Sequence, residues 1–327
     1  MQRYLLTGQR PRLAIAQGLL AQPGKGEVVV EMRAASLNYR DLLIAKAAKD
    51  VVPLSDGSGV ISALGEGVTG HAVGDRVVIG FMPGWTEGEY TQAKKVSSLG
   101  EPGVDGVLQE FVVVQADGDV RIPDWMTFEE AATLPCAAVT AWAALFERRP
   151  VQPGETVLLL GTGGVSIFAL QLAKKAGARV IITSSSDEKL KRAKTLGADE
   201  CINYHGYPNW EDRVLTLTGG IGADLAVDVA GPATLNQTAL ATRYGGRISL
   251  VGVLAGFDGP VSIGPLLERR ITLQSLYVGP VSTLRAVVRA GIKPQVDRVY
   301  AFHEAEKAYE ALEAAGHFGK LVVRIGG

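Results

Sequence analysis

At 327 residues the chain has room for two domains of roughly 150 residues each. Its 33 Lys+Arg against 34 Asp+Glu leave a net charge of −1, without the basic excess that neutralising nucleic-acid phosphates requires, so that class of partner is excluded. Hydrophobic residues at 47% and charged residues at 20% exclude wholesale disorder and allow a sizeable core. Forty glycines and 15 prolines, with neither collagen period nor low complexity, demand many tight turns or backbone that approaches something closely. Two cysteines, Cys136 and Cys201, cannot build a disulfide framework, and a reducing compartment is the natural reading.

Arginines interrupt the opening MQRYLLTGQRPRLAIAQGLL, where a signal peptide needs a continuous apolar run. The longest uncharged stretch, residues 156–173, is broken by glycines and falls short of a membrane span. A soluble, cytoplasmic protein is expected, with no membrane partner. Up to about residue 124 the apolar runs are short and turn-punctuated: residues 27–32 (EVVVEM), 57–64, 75–79 and 110–114. Gly-Lys-Gly, Gly-Glu-Gly, Val-Gly-Asp and Pro-Gly separate them, a texture that predicts an antiparallel barrel or sandwich.

From about residue 125 the texture changes. Thr127 can cap a helix with Glu129 and Glu130 in its first turn, where the helix dipole favours acids. Residues 156–160 form a continuous apolar strand, after which Val165, Phe168, Ala169, Leu172, Ala173 and Ala176 recur at helical spacing until Gly177. Residues 179–183 (RVIIT) read as a second buried strand, 187–196 as a second helix closed by Gly197, and 225–229 and 247–251 as further strands. Alternating β and α units with apolar strands predict a doubly wound α/β domain around a parallel sheet. Residues 304–315 then read as a helix and 320–325 (KLVVRI) as a strand that rejoins the first domain. These textures set the expected domains at 1–124 with 279–327, and at 125–278.

The most informative stretch is VLLLGTGG, residues 157–164. Gly161, Gly163 and Gly164 lie between a buried strand and an amphipathic helix, the context in which a tight turn cradles a pyrophosphate at a helix N-terminus. Ser166 stands where the third fingerprint glycine would be. An NAD site places an acid about 20 residues on. Here the second strand runs into Ser184-Ser185-Ser186 with no acid before Asp187 and with Lys189 one helical turn inward, which favours NADP. The serines also read simply as helix caps, and both roles can coexist.

At this point the chain resembles the medium-chain dehydrogenase/reductase superfamily, and within it the zinc-free quinone oxidoreductase-like branch. The resemblance runs nearly end to end. It rests on ASLNYRDLL (35–43), SDGSGVISALGEGV (55–68), VGDRVV (73–78), LPCAAVTAWAAL (134–145), VLLLGTGGVS (157–166), AKTLGADECINY (193–204) and HFGKLVV (317–323). It implies a GroES-like β-barrel catalytic domain made from both chain ends, a Rossmann cofactor domain between them, and a cofactor cleft at their junction. The zinc enzymes of the superfamily carry Cys, His and Cys where this chain has Asn38, Ser55 and Cys136. An amide and a hydroxyl do not replace thiolate and imidazole, and two cysteines cannot form the four-cysteine lobe. No metal is expected, and Cys136 reads as a small buried residue.

Without a Lewis acid, NADPH-driven reduction of a quinone, enone or enal is the expected reaction. Negative charge then develops on the conjugated carbonyl oxygen, and hydrogen-bond donors aimed at it supply the stabilisation. Asn38 and Tyr39 are the catalytic candidates, for polarising substrate or positioning nicotinamide; a turn brace and a cleft-wall packing residue are the plainer alternatives. Arg40 and Asp41 read as a structural pair. The resemblance further implies that Thr140 touches the nicotinamide half of NADP(H), and Gly161, Gly163, Gly164 and Val165 its pyrophosphate. Ser184, Lys189 and Tyr204 would surround the adenosine phosphate, Val253 and Tyr277 flank the nicotinamide, and Lys320 return from the tail. Apart from the match, Tyr204 is an ordinary strand-end aromatic and Lys320 an ordinary exposed lysine.

Residues 81–106, polar and rich in glycine and proline, have no counterpart in the leanest quinone reductases; they read as a lid carrying Trp85 or as a solvated loop. Residues 271–278 (ITLQSLYV) suggest a homodimer formed by edge pairing, as in the family. Two other functions stay open: an alcohol dehydrogenase-type oxidoreductase, and an NADPH-binding protein without catalysis.

Overall fold

The structure is a computed structural model that describes residues 1–20 and 22–326. It comprises two compact units, one of Met1–Val139 with Val278–Gly327, the other Thr140–Tyr277.

In the first unit β1 (Gln2–Leu6) and β2 (Leu13–Gln17) form an antiparallel pair. The main sheet has seven strands: β3 (Glu27–Ser36), β4 (Asp56–Leu64), β5 (Arg76–Ile79), β6 (Phe111–Gln115), β7 (Asp119–Arg121), β14 (Val296–Ala301) and β15 (Lys320–Arg324). Their order is β14-β15-β3-β4-β5-β7, with β6 also on β3. Only β14 and β15 run parallel to each other; the remaining pairs are antiparallel. β3 has three partners: β4 along most of its length, β6 beside its first half, and the tail strand β15 beside Ala34, Ala35 and Ser36. Its apolar residues Val28, Val30, Met32 and Ala35 enter a core that also takes Ile61, Val77, Ile79, Leu108, Tyr309 and Val323.

Helix α1 (Tyr39–Ala47) follows β3 directly, and α2 (Gln92–Lys95) is a single turn. α3 (Phe128–Ala131) starts as the sequence predicts: the Thr127 hydroxyl accepts from the Glu130 N–H at 3.1 Å, and the Glu130 carboxylate accepts from the Thr127 N–H at 3.0 Å. This helix packs on the first unit's sheet, where Ser58 Oγ donates to the Phe128 carbonyl at 2.6 Å and the Arg76 guanidinium lies 4.6 Å from the centre of the Phe128 ring. The compact units accordingly divide at Val139, within α4 (Val139–Trp142), later than the change of texture near residue 125. α10 (Val281–Ala290) and α11 (Ala305–Glu313) complete the unit.

The first part of residues 81–106 is not a solvated loop. Phe81, Met82 and Trp85 are buried, and so is Leu99 further along. The Trp85 indole N–H donates to the Gly88 carbonyl at 2.8 Å, and the Trp85 and Thr86 carbonyls accept from the N–H groups of Val281 and Ser282, both at 2.9 Å. Burial of these aromatic and aliphatic side chains outweighs the turn-rich composition around them.

The second unit holds a six-stranded, wholly parallel sheet: β8 (Thr156–Leu160), β9 (Arg179–Ser184), β10 (Glu200–Asn203), β11 (Ala223–Asp228), β12 (Thr242–Leu250) and β13 (Thr272–Ser275). The order β10-β9-β8-β11-β12-β13 is the doubly wound Rossmann arrangement, in which the order of strand addition reverses between β8 and β11. Helices α5 (Gly164–Lys175), α6 (Asp187–Thr195), α7 (Trp210–Leu217), α8 (Pro232–Ala241) and the short α9 (Gly264–Glu268) connect the strands. Every residue of β8 is buried, as expected for a strand covered on both faces. The fold is the α/β combination expected from the sequence.

Close backbone approach explains part of the glycine excess. A Cβ on Gly106 would lie 2.1 Å from the Leu54 carbonyl oxygen and 2.4 Å from that of Pro53, whereas one on Gly316 meets nothing within 4 Å. Gly106→Ala should therefore lower the unfolding free energy by about 2–3 kcal/mol and Gly316→Ala should leave it nearly unchanged; denaturant midpoints of the two variants check the contrast.

Candidate functional site

In the first unit the chemistry gathers where β3 ends. Asn38 caps α1 with extended backbone, and its N–H donates to Asp41 Oδ2 at 2.6 Å, closing a capping box. Tyr39 opens the helix and is 36% exposed, whereas Asn38 is 8% exposed. The antiparallel register of β15 on β3 pairs Val322 with Ser36, Val323 with Ala35 and Arg324 with Ala34. Continued by two residues, that register sets Lys320 opposite Asn38. The Lys320 ammonium donates to the Leu37 carbonyl oxygen and, at 2.6 Å, to Asn38 Oδ1. Lys320 is thus buried, at 4% exposure, and not the surface lysine that its residue type suggests. The strand ladder places it there.

Asp56, the first residue of β4, lies beneath this pair. Its carboxylate accepts from Ser55 Oγ at 2.7 Å and from the Cys136 N–H at 2.9 Å. Burial pushes its pKa up, and Lys320, Ser55, Cys136 and Asn38 pull it back in that order. Asp41 is raised to about 6, by burial first, against the charge of Arg40 and the bond from Asn38. Arg40 stands 3.6 Å from Asp41, and it also donates to the Leu99 carbonyl at 3.1 Å and to Glu101 at 2.8 Å. Burial lowers its pKa and Asp41, Cys136 and Glu101 more than offset this, so the guanidinium charge is reinforced. Cys136 is half-buried rather than fully so; burial first, then Asp56, pushes its thiol well above the ordinary range. Asn38 Nδ2 is a buried donor without a hydrogen-bond partner.

The second unit collects its sequence-predicted residues at the C-terminal ends of parallel strands, the edge at which open α/β sheets bind ligands. Gly161 follows β8 with φ of +74°, a left-handed conformation that suits glycine. Gly163 caps α5, and Gly164 and Val165 are its first residues. A Cβ at Gly161 or Gly163 would meet nothing within 4 Å, so open space faces the turn. Ser166, in the third fingerprint position, is buried and its Oγ donates to the Leu160 carbonyl at 2.6 Å. Ser184 ends β9; its Oγ lies 3.5 Å from Thr162 Oγ1 and accepts from the Ser186 N–H at 3.3 Å, and its carbonyl accepts from the Tyr204 N–H at 3.1 Å.

The helix-cap role among these serines belongs to Ser186, whose Oγ accepts from the Lys189 N–H at 3.3 Å in the first turn of α6. Tyr204 follows β10 and is exposed, Val253 follows β12 half-buried, and Tyr277 follows β13 exposed. Thr140 is buried in α4. Gly161, Ser184 and Tyr204 are thus joined around adjacent strands, with the Gly161 N–H donating to Thr183 Oγ1 at 3.4 Å. Val253 and Tyr277 follow neighbouring strands. Two site residues had no role in the sequence reading: Asp56, visible only as part of SDGSG, and Arg40 as a link from α1 to Leu99 and Glu101. Among the described residues no three His, Cys, Asp or Glu side chains gather as a metal ligand set, and no helix is long and apolar enough to cross a membrane.

A seven-stranded sheet built from both ends of the chain, joined to a Rossmann sheet with a glycine turn at its switch point, defines a two-domain dinucleotide-dependent oxidoreductase class. Residues 24–124 match the family model of the alcohol dehydrogenase GroES-like domain, and residues 164–292 that of zinc-binding dehydrogenases. A zinc-type alcohol dehydrogenase-like protein of Schizosaccharomyces pombe is 44% identical over 317 residues, covering 92% of this chain and 91% of its own. Among solved structures, an NAD-dependent alcohol dehydrogenase has a TM-score of 0.90 at 35% identity, covering all of both chains. A quinone oxidoreductase of Pseudomonas syringae pv. Tomato DC3000 has a TM-score of 0.83 at 26% identity, covering 99% of each. The chain belongs to the medium-chain dehydrogenase/reductase superfamily and is an oxidoreductase of that family.

The Asp41 shift makes a pH-dependent prediction. An acid whose folded pKa lies above its unfolded value, here about 6 against 3.8, binds its proton more tightly when folded. The resulting stabilisation is complete below about pH 4 and disappears as the pH rises through about 6. It amounts to at most about 3 kcal/mol. Asp41→Asn keeps an acceptor for the Asn38 N–H and cannot ionise, so the stability of wild type relative to this variant should fall between pH 4 and 7. Urea midpoints across that range measure it; a pH-independent difference would contradict the assignment.

Proposed function

We propose that the protein is an NADPH-dependent reductase of quinones or α,β-unsaturated carbonyl compounds that works without a metal ion. The observation that carries the reading is Asn38: a buried amide whose oxygen is held by Lys320 and whose nitrogen is an unpaired donor. The first unit is then the catalytic domain and the second the cofactor domain.

The residues at the zinc-ligand positions do not fit zinc. Asn38 offers an amide oxygen already bonded to an ammonium and Ser55 a hydroxyl that donates to Asp56, which leaves Cys136 alone of the three with a zinc-ligand side chain. Catalytic zinc takes three ligands from thiolate, imidazole and carboxylate, and the Lys320 charge opposes a second cation beside it. A dinucleotide, in contrast, fits the second unit. The open turn Gly161–Gly164 can take its pyrophosphate on the backbone N–H groups of Gly163, Gly164 and Val165 at the start of α5. Thr140, Val253 and Tyr277 would hold the nicotinamide half. Ser184, Lys189 and Tyr204 would hold the adenosine end, with hydroxyls and an ammonium for a 2′-phosphate and no acid before Asp187 to repel it.

When bound, NADPH would supply a hydride to the electrophilic carbon of the substrate. The side chains then have one main task, to stabilise negative charge on the conjugated carbonyl oxygen. Asn38 Nδ2 donates to that oxygen, and the Tyr39 phenol, which stands next to it at the start of α1, is a second donor. Loss of one such donor costs about 10²–10³-fold in kcat.

The test is a screen of purified protein with NADPH and NADH side by side on benzoquinone, cyclohexenone and acryloyl-CoA, with metal analysis after chelator dialysis. NADPH-driven turnover without bound zinc is expected; activity that tracks stoichiometric zinc, or turnover of alcohols alone, would instead support the alcohol dehydrogenase reading. In the same assay Lys189→Ala should weaken NADPH by about tenfold, a loss of about 1.4 kcal/mol, and leave NADH binding unaltered.

The homodimer is proposed from β13, which closes one edge of the parallel sheet and exposes Leu273. Light scattering at micromolar concentration should give twice the chain mass, and Leu273→Arg should shift it toward the monomer.

A further inference from the structure

Lys320 is the residue whose surroundings depart furthest from the sequence reading. Its Nζ is surrounded by protein: it donates to the Leu37 carbonyl oxygen and to Asn38 Oδ1, and the residue is 4% exposed. An asparagine side chain has one oxygen that accepts and one nitrogen that only donates. With the ammonium against the oxygen, the amide has one favourable orientation, since the flipped one sets donor against donor and leaves the ammonium short of an acceptor. For a buried group that arrangement is costly. The backbone is held as well, through the Asn38 N–H on Asp41 and the capped start of α1.

Fixing the oxygen fixes the nitrogen. Asn38 Nδ2 is buried and makes no hydrogen bond of full geometry; its neighbour is the Asp56 carboxylate, whose charge the amide helps to hold. A buried donor left unpaired is costly, and here both the tail strand and the helix cap hold it in that state.

We propose that Lys320 is a positioning residue: it grips Asn38 by the amide oxygen so that the amide nitrogen is presented as a preorganised donor to the substrate carbonyl oxygen. This rests on the role given to Asn38 above, and it replaces the cofactor contact that the family resemblance implies for Lys320. Preorganisation matters because a donor that must first rotate into place loses part of its advantage in the transition state.

A double-mutant cycle on wild type, Asn38→Ala, Lys320→Met and the double variant tests it, run on whichever substrate the wild type turns over, alcohols included. Failure of the enone or quinone reading therefore shows in the wild-type substrate screen, and failure of the Lys320 role in the cycle. Lys320→Met should lower kcat by about 10-fold or more at saturating NADPH, leave the fluorescence-titrated Kd for NADPH within twofold, and add little further loss in the Asn38→Ala background. A weakened Kd for NADPH with kcat intact, or independent losses that multiply, would overturn the proposal.

One further readout stands where Lys320→Met fails to fold, and a second where no substrate turns over. Asn38→Asp retains an oxygen for Lys320 but has no donor, so it should fold, bind NADPH and lose turnover; full turnover would overturn the proposal. In ¹⁵N spectra of the unliganded protein, the Asn38 side-chain N–H₂ pair, assigned by its loss in Asn38→Asp, should show a flip between its two protons that is slowed in wild type. Free flipping of that amide in wild type would likewise overturn it.

Discussion

The structure depends on the way three strands share β3. Its first half bonds to β6, most of its length to β4, and its last residues to β15, so one ten-residue strand sets the register of both ends of the chain. A slip of one residue would turn every side chain of β15 to the opposite face and move Lys320 away from Asn38. The register of the tail therefore does more than close a core. It measures out where the ammonium falls, and the Ser36 hydroxyl and the Leu37 N–H both bond the Leu321 carbonyl to hold that position.

Charge is the second constraint on the same place. Asp41, Asp56, Arg40 and Lys320 are all largely withdrawn from water, where an isolated ion is costly. Their signs balance, and each carboxylate accepts at least one backbone N–H, from Asn38 or from Cys136. The network is nevertheless incomplete by one donor on Asn38. Removing one member of such a set is more damaging than replacing the whole set by apolar groups.

Much of the fold was legible because its signals are local. The all-apolar β8, the helical spacing of α5, the glycine turn between them and the capping box at Thr127 each depend on neighbours within about a dozen residues. Residues 81–106 misled because Gly, Pro and charged residues dominate their composition, while Phe81, Met82, Trp85 and Leu99 decide their packing. Lys320 misled for a different reason: lysine is almost always exposed unless paired, and its partners lie on a strand and a cap at the other end of the sequence. Asn38 was legible as a residue type in the old metal-ligand region, but the direction of its amide was not. That direction follows from which group meets its oxygen, and no local pattern encodes it.

The bond between Lys320 and Asn38 spans 282 positions of sequence, and the whole of residues 140–277 lies between its ends. Closing a loop of that length costs chain entropy before the contact rewards it. The loop closed by this contact is already so long that a doubling of its length adds only about 0.6 kcal/mol of closure cost. In entropic terms the clamp tolerates an exchanged or enlarged second unit almost freely, whereas insertion of a single residue within β15 would act directly on the register that sets it.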